Sequence, residues 1–225
     1  MKDKIFCISM QRTGTSSIGD FFESNGLRRV GHQLSDQLLW SRKWFEGDYE
    51  SIFSDEKFIN AEILEDDPFW YPDFFKVIFH RFPEAKFVFL YRDSDSWFKS
   101  MITHSNGHSL GMTDVHSKIY SREADLFWLR NNIEDYNEKR RQGMVLYDKA
   151  EHYKMIYEVY KSNVVNFFKD KNAKRYFISD LKSPTLWKDL ADWSDIEIDD
   201  SNDVFHAHKT KRNMKQADLL APRKI

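Results

Sequence analysis

The chain has 225 residues, which is enough for one sizeable α/β domain, whereas two independent cores would each be small. Its hydrophobic fraction of 41% and charged fraction of 31% are ordinary globular values and exclude a disordered or membrane-embedded chain. A formal net charge of −2 argues against a general nucleic-acid coat, which needs a broad basic surface, so any anion site must be local.

The cysteine content and the apolar segments bear on the cellular compartment. Cys7 is the single cysteine, so no internal disulfide can form and nothing indicates an oxidising compartment. No apolar segment approaches the ~20 residues that span a bilayer, so we expect no transmembrane segment. We therefore expect a cytoplasmic protein, and the sequence leaves its oligomeric state open.

The beginning of the chain predicts a strand, a turn and a helix. The apolar run Ile5–Ile8 is the strand, and residues 11–15 form the turn. The helix that follows carries an apolar stripe and can end at Gly26. This order of elements is typical of the opening of a phosphate-binding α/β fold.

The rest of the chain alternates predicted helices with predicted strands. Helices are expected at about residues 35–45, 72–82, 122–136, 147–169 and 186–193, and strands at about 57–63, 86–91 and 175–179. The run 86–91 is almost continuously apolar, as buried parallel strands are. We therefore predict an α/β fold in which helices flank a central, mainly parallel sheet.

A polar loop, residues 11–17, connects the first predicted strand to the first helix. A helix start presents unpaired backbone N–H groups and the positive end of the helix dipole, which attract phosphate. Gly14 lets the backbone approach an anion, Thr15 and Ser16 can donate hydroxyl hydrogen bonds, and Arg12 adds a fixed charge. The loop is shorter than G-x-x-x-x-G-K-[ST] and lacks its Lys, so it suits one phosphate rather than a Mg²⁺-bound triphosphate.

The segment Arg12-Thr13-Gly14-Thr15-Ser16 resembles the phosphosulfate loop [K/R]-[S/T]-G-[S/T]-[S/T] of sulfotransferases that use 3′-phosphoadenosine-5′-phosphosulfate (PAPS). The resemblance implies that residues 12–17, including Ser17, bind the donor. Arg12 stands where cytosolic members usually carry Lys, and would hold the leaving phosphate and the bridging oxygen. Because Arg keeps its proton, its role would be electrostatic only.

A second part of the resemblance lies around Arg92 and Ser100. In the family, an Arg at a strand end and a Ser eight residues later hold the 3′-phosphate of the nucleotide, and this sequence keeps that spacing. An Arg at the carboxyl end of a strand faces the crevice where open sheets bind ligands. Ser94 replaces the Pro that is frequent in the family, and it can cap the next helix.

The resemblance covers nearly the whole chain, although its strongest motifs lie near residues 10–26 and 66–101. The acidic turn Asp66-Asp67-Pro68-Phe69-Trp70 and the late segment 176–182 also fit the family pattern. It implies a three-layer P-loop-like fold in a single domain, residues 1–225. A helical and loop insertion at about 103–145, which would suit an acceptor lid, and a basic C-terminal tail at about 204–225 would complete it.

The general base is the least determined part of the predicted site. Family members use His or a carboxylate near the end of the strand before the acidic turn, which points to Glu62, Asp66 or Asp67. His32 is the other candidate, because its unperturbed pKa suits proton transfer near neutrality. Asp66 is the first candidate for the base because it stands two residues before Pro68, where related sequences carry an acidic residue. Helix capping is an alternative of equal weight for both aspartates.

The resemblance implies an enzyme that moves a sulfuryl group from PAPS to a hydroxyl or amine by in-line displacement and releases adenosine 3′,5′-bisphosphate. A small molecule or a glycan would be the acceptor, with no nucleic-acid partner. No metal is expected, since no cluster in the sequence has a clear metal-ligand spacing. The alternatives are a small-molecule or nucleoside kinase with an atypical phosphate loop, and a nucleotide-binding module without catalysis.

Overall fold

The computed structural model of the chain describes residues 4–105, 113–132 and 146–197. The predicted basic tail and part of the predicted insertion lie outside these residues. Among the described residues, no helix is both long and apolar enough to cross a membrane.

The elements follow one another in an α/β order. The strands are β1 (Ile5–Cys7), β2 (Arg29–Val30), β3 (Ile63–Glu65), β4 (Lys86–Tyr91) and β5 (Tyr176–Asp180). The helices are α1 (Thr15–Ser24), α2 (His32–Gln37), α3 (Trp40–Glu46), α4 (Glu50–Phe53), α5 (Glu56–Asn60), α6 (Phe74–Arg81), α7 (Ser94–Ser105), α8 (Asp114–Ile119), α9 (Glu123–Asn132), α10 (Ala150–Phe168) and α11 (Leu186–Ser194). Short 3₁₀ turns occur at Tyr147–Lys149 and Ala173–Arg175.

The strands form one sheet in the order β2-β3-β1-β4-β5, with every adjacent pair parallel. In the central strand, Cys7 pairs with Glu65 of β3 and with Val88 of β4. Parallel strands all end at the same edge of the sheet, so the loops after β1, β3 and β4 emerge together. The predicted α/β fold with a parallel sheet flanked by helices is confirmed.

The core lies on both faces of the sheet because side chains alternate along each strand. Ile5 and Cys7 pack against the apolar stripe of α1 and against α11. Phe6 points to the other face, where its ring centroid lies 5.5 Å from that of Phe69 and 5.8 Å from that of Phe87. Burial on both faces explains why β1 and β4 are apolar at nearly every position.

The described chain forms two compact units. The first contains residues 4–92 and 160–197, and therefore the whole sheet. The second contains the described residues between 93 and 159. Within the second unit, the buried Arg122 donates to the Tyr153 hydroxyl at 3.2 Å. The predicted single domain with an insertion stays a prediction.

Two predicted elements are wrong. The helix expected at 35–45 is split into α2 and α3 by Leu39, whose φ of 56° is left-handed and cannot continue a right-handed helix. The strand expected at 57–63 is mostly helix α5, which Asp55 caps by accepting a hydrogen bond from the Lys57 amide at 2.8 Å. The paired strand begins only at Ile63. The other predicted elements agree with the structure to within about one helical turn, whereas β2, α4 and α8 were not predicted.

Lys4 ties the start of β1 to the end of α5. It is 4% exposed, and its Nζ donates to the carbonyl oxygens of Phe58 (2.7 Å), Ile59 (2.9 Å) and Ala61 (2.7 Å). One ammonium group thus donates to three carbonyls at the C-terminal end of α5, where helical partners run out.

Replacing this ammonium should destabilise the fold. We expect Lys4→Met to lower the free energy of unfolding by about 3 kcal/mol, because buried carbonyl groups lose their donor. Urea-induced unfolding measures the change. Lys57→Met, at an exposed position of α5, is the control and should change stability by less than about 0.5 kcal/mol. Equal losses in both variants would contradict the assigned role.

Candidate active site

Three strand ends build the candidate site at the carboxyl edge of the sheet. The loop after β1 leads into α1, Asp66 follows β3, and Arg92 follows β4. Two contacts join them: the Thr15 hydroxyl donates to Asp66 Oδ2 at 3.1 Å, and Arg92 Nη1 donates to the Arg12 carbonyl at 3.3 Å. The structure therefore brings the predicted phosphate loop, the first base candidate and Arg92 to one place.

The phosphate loop is a tight turn with two residues in the left-handed region. Arg12 has φ 67° and Gly14 has φ 89°. The Thr13 amide donates to the Met10 carbonyl at 3.2 Å, and the Thr13 hydroxyl donates to the same oxygen. Gly14 occupies the N-cap of α1 and has no side chain to accept hydrogen bonds from the first helical amides. Those amides therefore suit an anion.

The hydroxyl groups of the loop differ in burial. Thr13 is fully buried and bound to Met10, so it shapes the turn, and Ser17 is 7% exposed. Thr15 is 4% exposed, but its hydroxyl lies beside Asp66, while Ser16 is half-buried. Because the Thr13 and Thr15 hydroxyl protons are donated to Met10 and Asp66, the geometry favours Ser16 as the hydroxyl donor to a ligand.

Arg12 and Arg92 place two positive charges near each other. The pKa of Arg12 is lowered by burial and, to a smaller extent, by the charge of Arg92, while Asp66 opposes the shift. Mutual repulsion between two guanidinium groups is relieved by an anionic ligand. The charge arrangement therefore favours a ligand with more than one negative charge.

The acidic turn after β3 collects the base candidates. Asp66 has a left-handed φ of 70°, a strained conformation that is frequent at functional sites. Asp67 is 8% exposed, and its pKa is raised by burial and by the charge of Asp66. The exposed His32, which begins α2, places Nδ1 3.8 Å from Asp67 Oδ2. At 3.8 Å these two atoms are too far apart for a hydrogen bond, so His32 and Asp67 are neighbours in the site without being bonded to each other.

Among the residues that the structure describes, the same three form a group that could hold a metal ion. His32, Asp66 and Asp67 each place one donor atom within 4.8 Å of the others. A histidine with two carboxylates suits a divalent transition-metal cation by donor type. The prediction that no metal is needed stays a prediction.

Two other candidates lie elsewhere in the fold. Glu62 precedes β3 and pairs with Arg28 at 3.2 Å, so it lies at the opposite edge of the sheet from Asp66. The structure does not bring it to the site. Ser100 belongs to α7 in the second unit, and its role in holding the 3′-phosphate stays a prediction.

The predicted cap of α7 is wrong. Ser94 is the first helical residue, and Asp93 caps the helix by accepting a hydrogen bond from the Ser96 amide at 2.8 Å.

The sequence analysis missed a buried charge cluster behind the acidic turn. Glu65 is 1% exposed and accepts a hydrogen bond from Arg29 Nη2 at 2.7 Å, and Arg29 Nη1 pairs with Asp20. Burial, followed by the charge of Asp66, raises the pKa of Glu65 to about 7, although Arg29 opposes the shift. The available signal was a glutamate at a core position of a buried strand, since such residues are almost never fully buried without a partner.

The raised pKa of Glu65 links stability to pH. The pKa of Glu65 is 4.5 in its ordinary state and about 7 in the folded protein. Between these two pH values, Glu65 binds more protons in the folded than in the unfolded state. Its stabilising contribution is therefore fully present below the lower value and is lost as the pH rises through the higher one.

We expect Glu65→Gln to flatten this dependence. The fall in unfolding free energy between about pH 5 and about pH 8 should be smaller than in the wild type by up to about 3 kcal/mol. Urea titrations at both pH values measure it, and the contribution of Asp67 cancels in the comparison. Parallel pH profiles would contradict the assignment.

Comparisons with known proteins bear on this arrangement. Residues 4–211 match the family described as "Sulfotransferase domain". The crystal structure of a sulfotransferase from Alicyclobacillus acidocaldarius aligns over 97% of this chain and 88% of its own, with 12% sequence identity and a TM-score of 0.47, a likeness too slight to argue from. No curated protein matches the chain. Because the family match extends over most of the 225 residues, the chain belongs to the sulfotransferase-domain family.

Proposed function

We propose that this sulfotransferase-family enzyme takes its sulfuryl group from PAPS and delivers it to a hydroxyl or amine of a small molecule or glycan, in the cytoplasm. The observation that carries the proposal is the placement of Arg12 and Arg92 beside the open N-terminus of α1. Two cations and a set of helix-start amides suit a donor that carries phosphate at two positions.

At the donor end, the loop residues would bind PAPS and stabilise charge on its phosphate. The amides of Gly14, Thr15 and Ser16 and the Ser16 hydroxyl would hold the 5′-phosphate, and Arg92 with Ser100 would hold the 3′-phosphate. PAPS supplies an activated sulfuryl group whose leaving group is a phosphate. Arg12 would stabilise the negative charge that develops on that phosphate, an electrostatic role that needs no proton transfer.

At the acceptor end, Asp66 is the proposed base. Its carboxylate lies 3.1 Å from the Thr15 hydroxyl, which fixes it next to the donor loop. A base must lie within hydrogen-bond reach of the proton that it removes, and this position meets that condition for an acceptor bound beside the loop. His32, which lies beside Asp67, is the alternative base.

The rival functions make different predictions. A kinase would need a lysine to hold the β- and γ-phosphates, and the loop at 11–17 has no Lys. The family match also favours sulfuryl transfer over phosphoryl transfer. A binding module without catalysis would keep nucleotide affinity and lack turnover, so it is separated from an enzyme by assay.

The donor site is tested by calorimetric titration with adenosine 3′,5′-bisphosphate, beside 5′-AMP and Mg²⁺-ATP. The bisphosphate should bind most tightly, because it alone carries both phosphates that the site is proposed to hold. Arg92→Ala should weaken its binding by about 2 kcal/mol, the cost of a lost charge-assisted hydrogen bond. Arg12→Ala should lower turnover more than affinity. Preference for Mg²⁺-ATP, or equal small effects of both substitutions, would contradict the proposal.

The base is tested by comparing Asp66→Asn with His32→Gln. With Asp66 as the base, Asp66→Asn should lower kcat by about 10²-fold or more while leaving bisphosphate affinity almost unchanged. His32→Gln should then have a much smaller effect on kcat. Release of bisphosphate from PAPS, with water or an added acceptor, measures the rate. The reverse ranking would assign the base to His32 and its neighbour Asp67.

A further inference from the structure

Arg29 connects two segments of the candidate site without belonging to it. Its Nε and Nη2 donate to Glu65 Oε1 at 3.2 Å and 2.7 Å. On the other side, its Nη1 pairs with Asp20 and, at 3.2 Å, with Glu23 of α1. The Arg29 side chain is only 18% exposed, and that of Glu65 only 1%. One guanidinium group therefore joins α1 to the last residue of β3.

Two glycines lie against the Arg29–Glu65 ion pair, one beside each side chain. A Cβ on Gly19 of α1 would overlap the Arg29 guanidinium, and a Cβ on Gly31 would overlap Glu65 Oε1. At both positions the backbone lies directly against the ion pair, and a Cβ would displace the end of the Arg29 or Glu65 side chain.

The contacts form a closed ring that includes the site. Asp20 lies on α1, the helix whose first residue is Thr15. Glu65 directly precedes Asp66, and Asp66 accepts the hydrogen bond from Thr15. Starting from α1, the ring passes through Arg29, Glu65 and Asp66 and returns to α1 at Thr15. The helix start and the acidic turn are therefore connected at two places.

We propose that Arg29 is a positioning residue, which fixes the acidic turn relative to the phosphate loop and so sets the distance between the base and the donor. This inference rests on the proposed function of the two segments. An error of about 1 Å between reacting groups can cost about 10²-fold in rate, so a remote ion pair can control turnover. Binding of the donor depends on the phosphate loop, Arg12 and Arg92, and should depend little on Arg29.

The chemistry of the side chain supports this role. The planar guanidinium of arginine directs Nη1 toward one carboxylate and Nη2 with Nε toward another, in fixed relative geometry. A lysine ammonium carries one charge centre on a flexible stem and cannot hold both segments in the same way. Arg29→Lys should therefore keep the charge and the fold while losing the geometry.

The neighbouring Arg28, whose side chain is 55% exposed against 18% for Arg29, is the control. It also pairs with a glutamate next to β3, since its Nη1 lies 3.2 Å from Glu62 Oε2. Glu62 precedes β3, whereas Glu65 ends it. Arg28→Met and Arg29→Met therefore each remove an arginine–glutamate pair, at opposite ends of the same strand.

Kinetics with PAPS is the first measurement. In Arg29→Met, kcat should fall by about 100-fold with KM for PAPS changed by less than about 3-fold, as for a misplaced catalytic group. Arg28→Met should change kcat by less than about 2-fold. If Arg29→Met does not fold, Arg29→Lys takes its place and should still lose most of kcat. Equal kcat values in the two variants, or a rise in KM that accounts for the whole loss, would overturn the inference.

Amide hydrogen exchange separates this inference from the proposed function, because it needs no activity. The Ile18 amide, bound to the Gly14 carbonyl at 3.0 Å, and the Phe69 amide, bound to the Asp66 carbonyl at 2.9 Å, report on the two segments. Both should exchange faster in Arg29→Met than in Arg28→Met. Unchanged exchange at both amides would overturn the role of Arg29. A wild-type protein that fails to bind the bisphosphate would overturn the proposed function, and the exchange comparison would still decide whether Arg29 holds the two segments.

Discussion

β1 is hydrogen-bonded in parallel to β3 on one side and to β4 on the other, so that Cys7 lies opposite both Glu65 and Val88. This ladder requires the chain to leave all three strands at one edge of the sheet. The loop before α1, the acidic turn and Arg92 are far apart in sequence, and they meet because each follows the end of one of these strands. Ligands bind at this edge in open α/β sheets for the same reason.

Two cations and two anions at this edge come from neighbouring strands. Arg12 and Arg92 follow β1 and β4 on one side, and Asp66 and Asp67 follow β3 on the other. The Thr15 hydroxyl donates its hydrogen bond to Asp66. An anionic donor held on the first side would thus have a proton acceptor beside it on the second. Such fixed charges favour transfer because they need no reorganisation during the reaction.

Much of the candidate site could be predicted because its motifs are local. A Gly between hydroxyl residues after a short apolar run indicates a phosphate loop, and the structure gives that Gly the left-handed φ that the turn requires. An arginine directly after an apolar run marks a strand end. Helix α5 was missed because it has only five residues and its two apolar ones, Phe58 and Ile59, are adjacent, so no helical period is visible. The Asp55 cap that starts the helix went unrecognised.

The sequence by itself determined the elements with a distinct local pattern: the apolar strand β4, the long amphipathic helix α10, and the polar loop before α1. The continuous apolar run of β4 follows from burial of both its faces, and the apolar stripe of α10 from burial of one. Only the tertiary structure decided that Glu62 lies away from the acidic turn and that Arg29 reaches both α1 and Glu65. The physical reason is strand order, because which carboxylate meets which cation depends on which strands are neighbours, and no local pattern records that order.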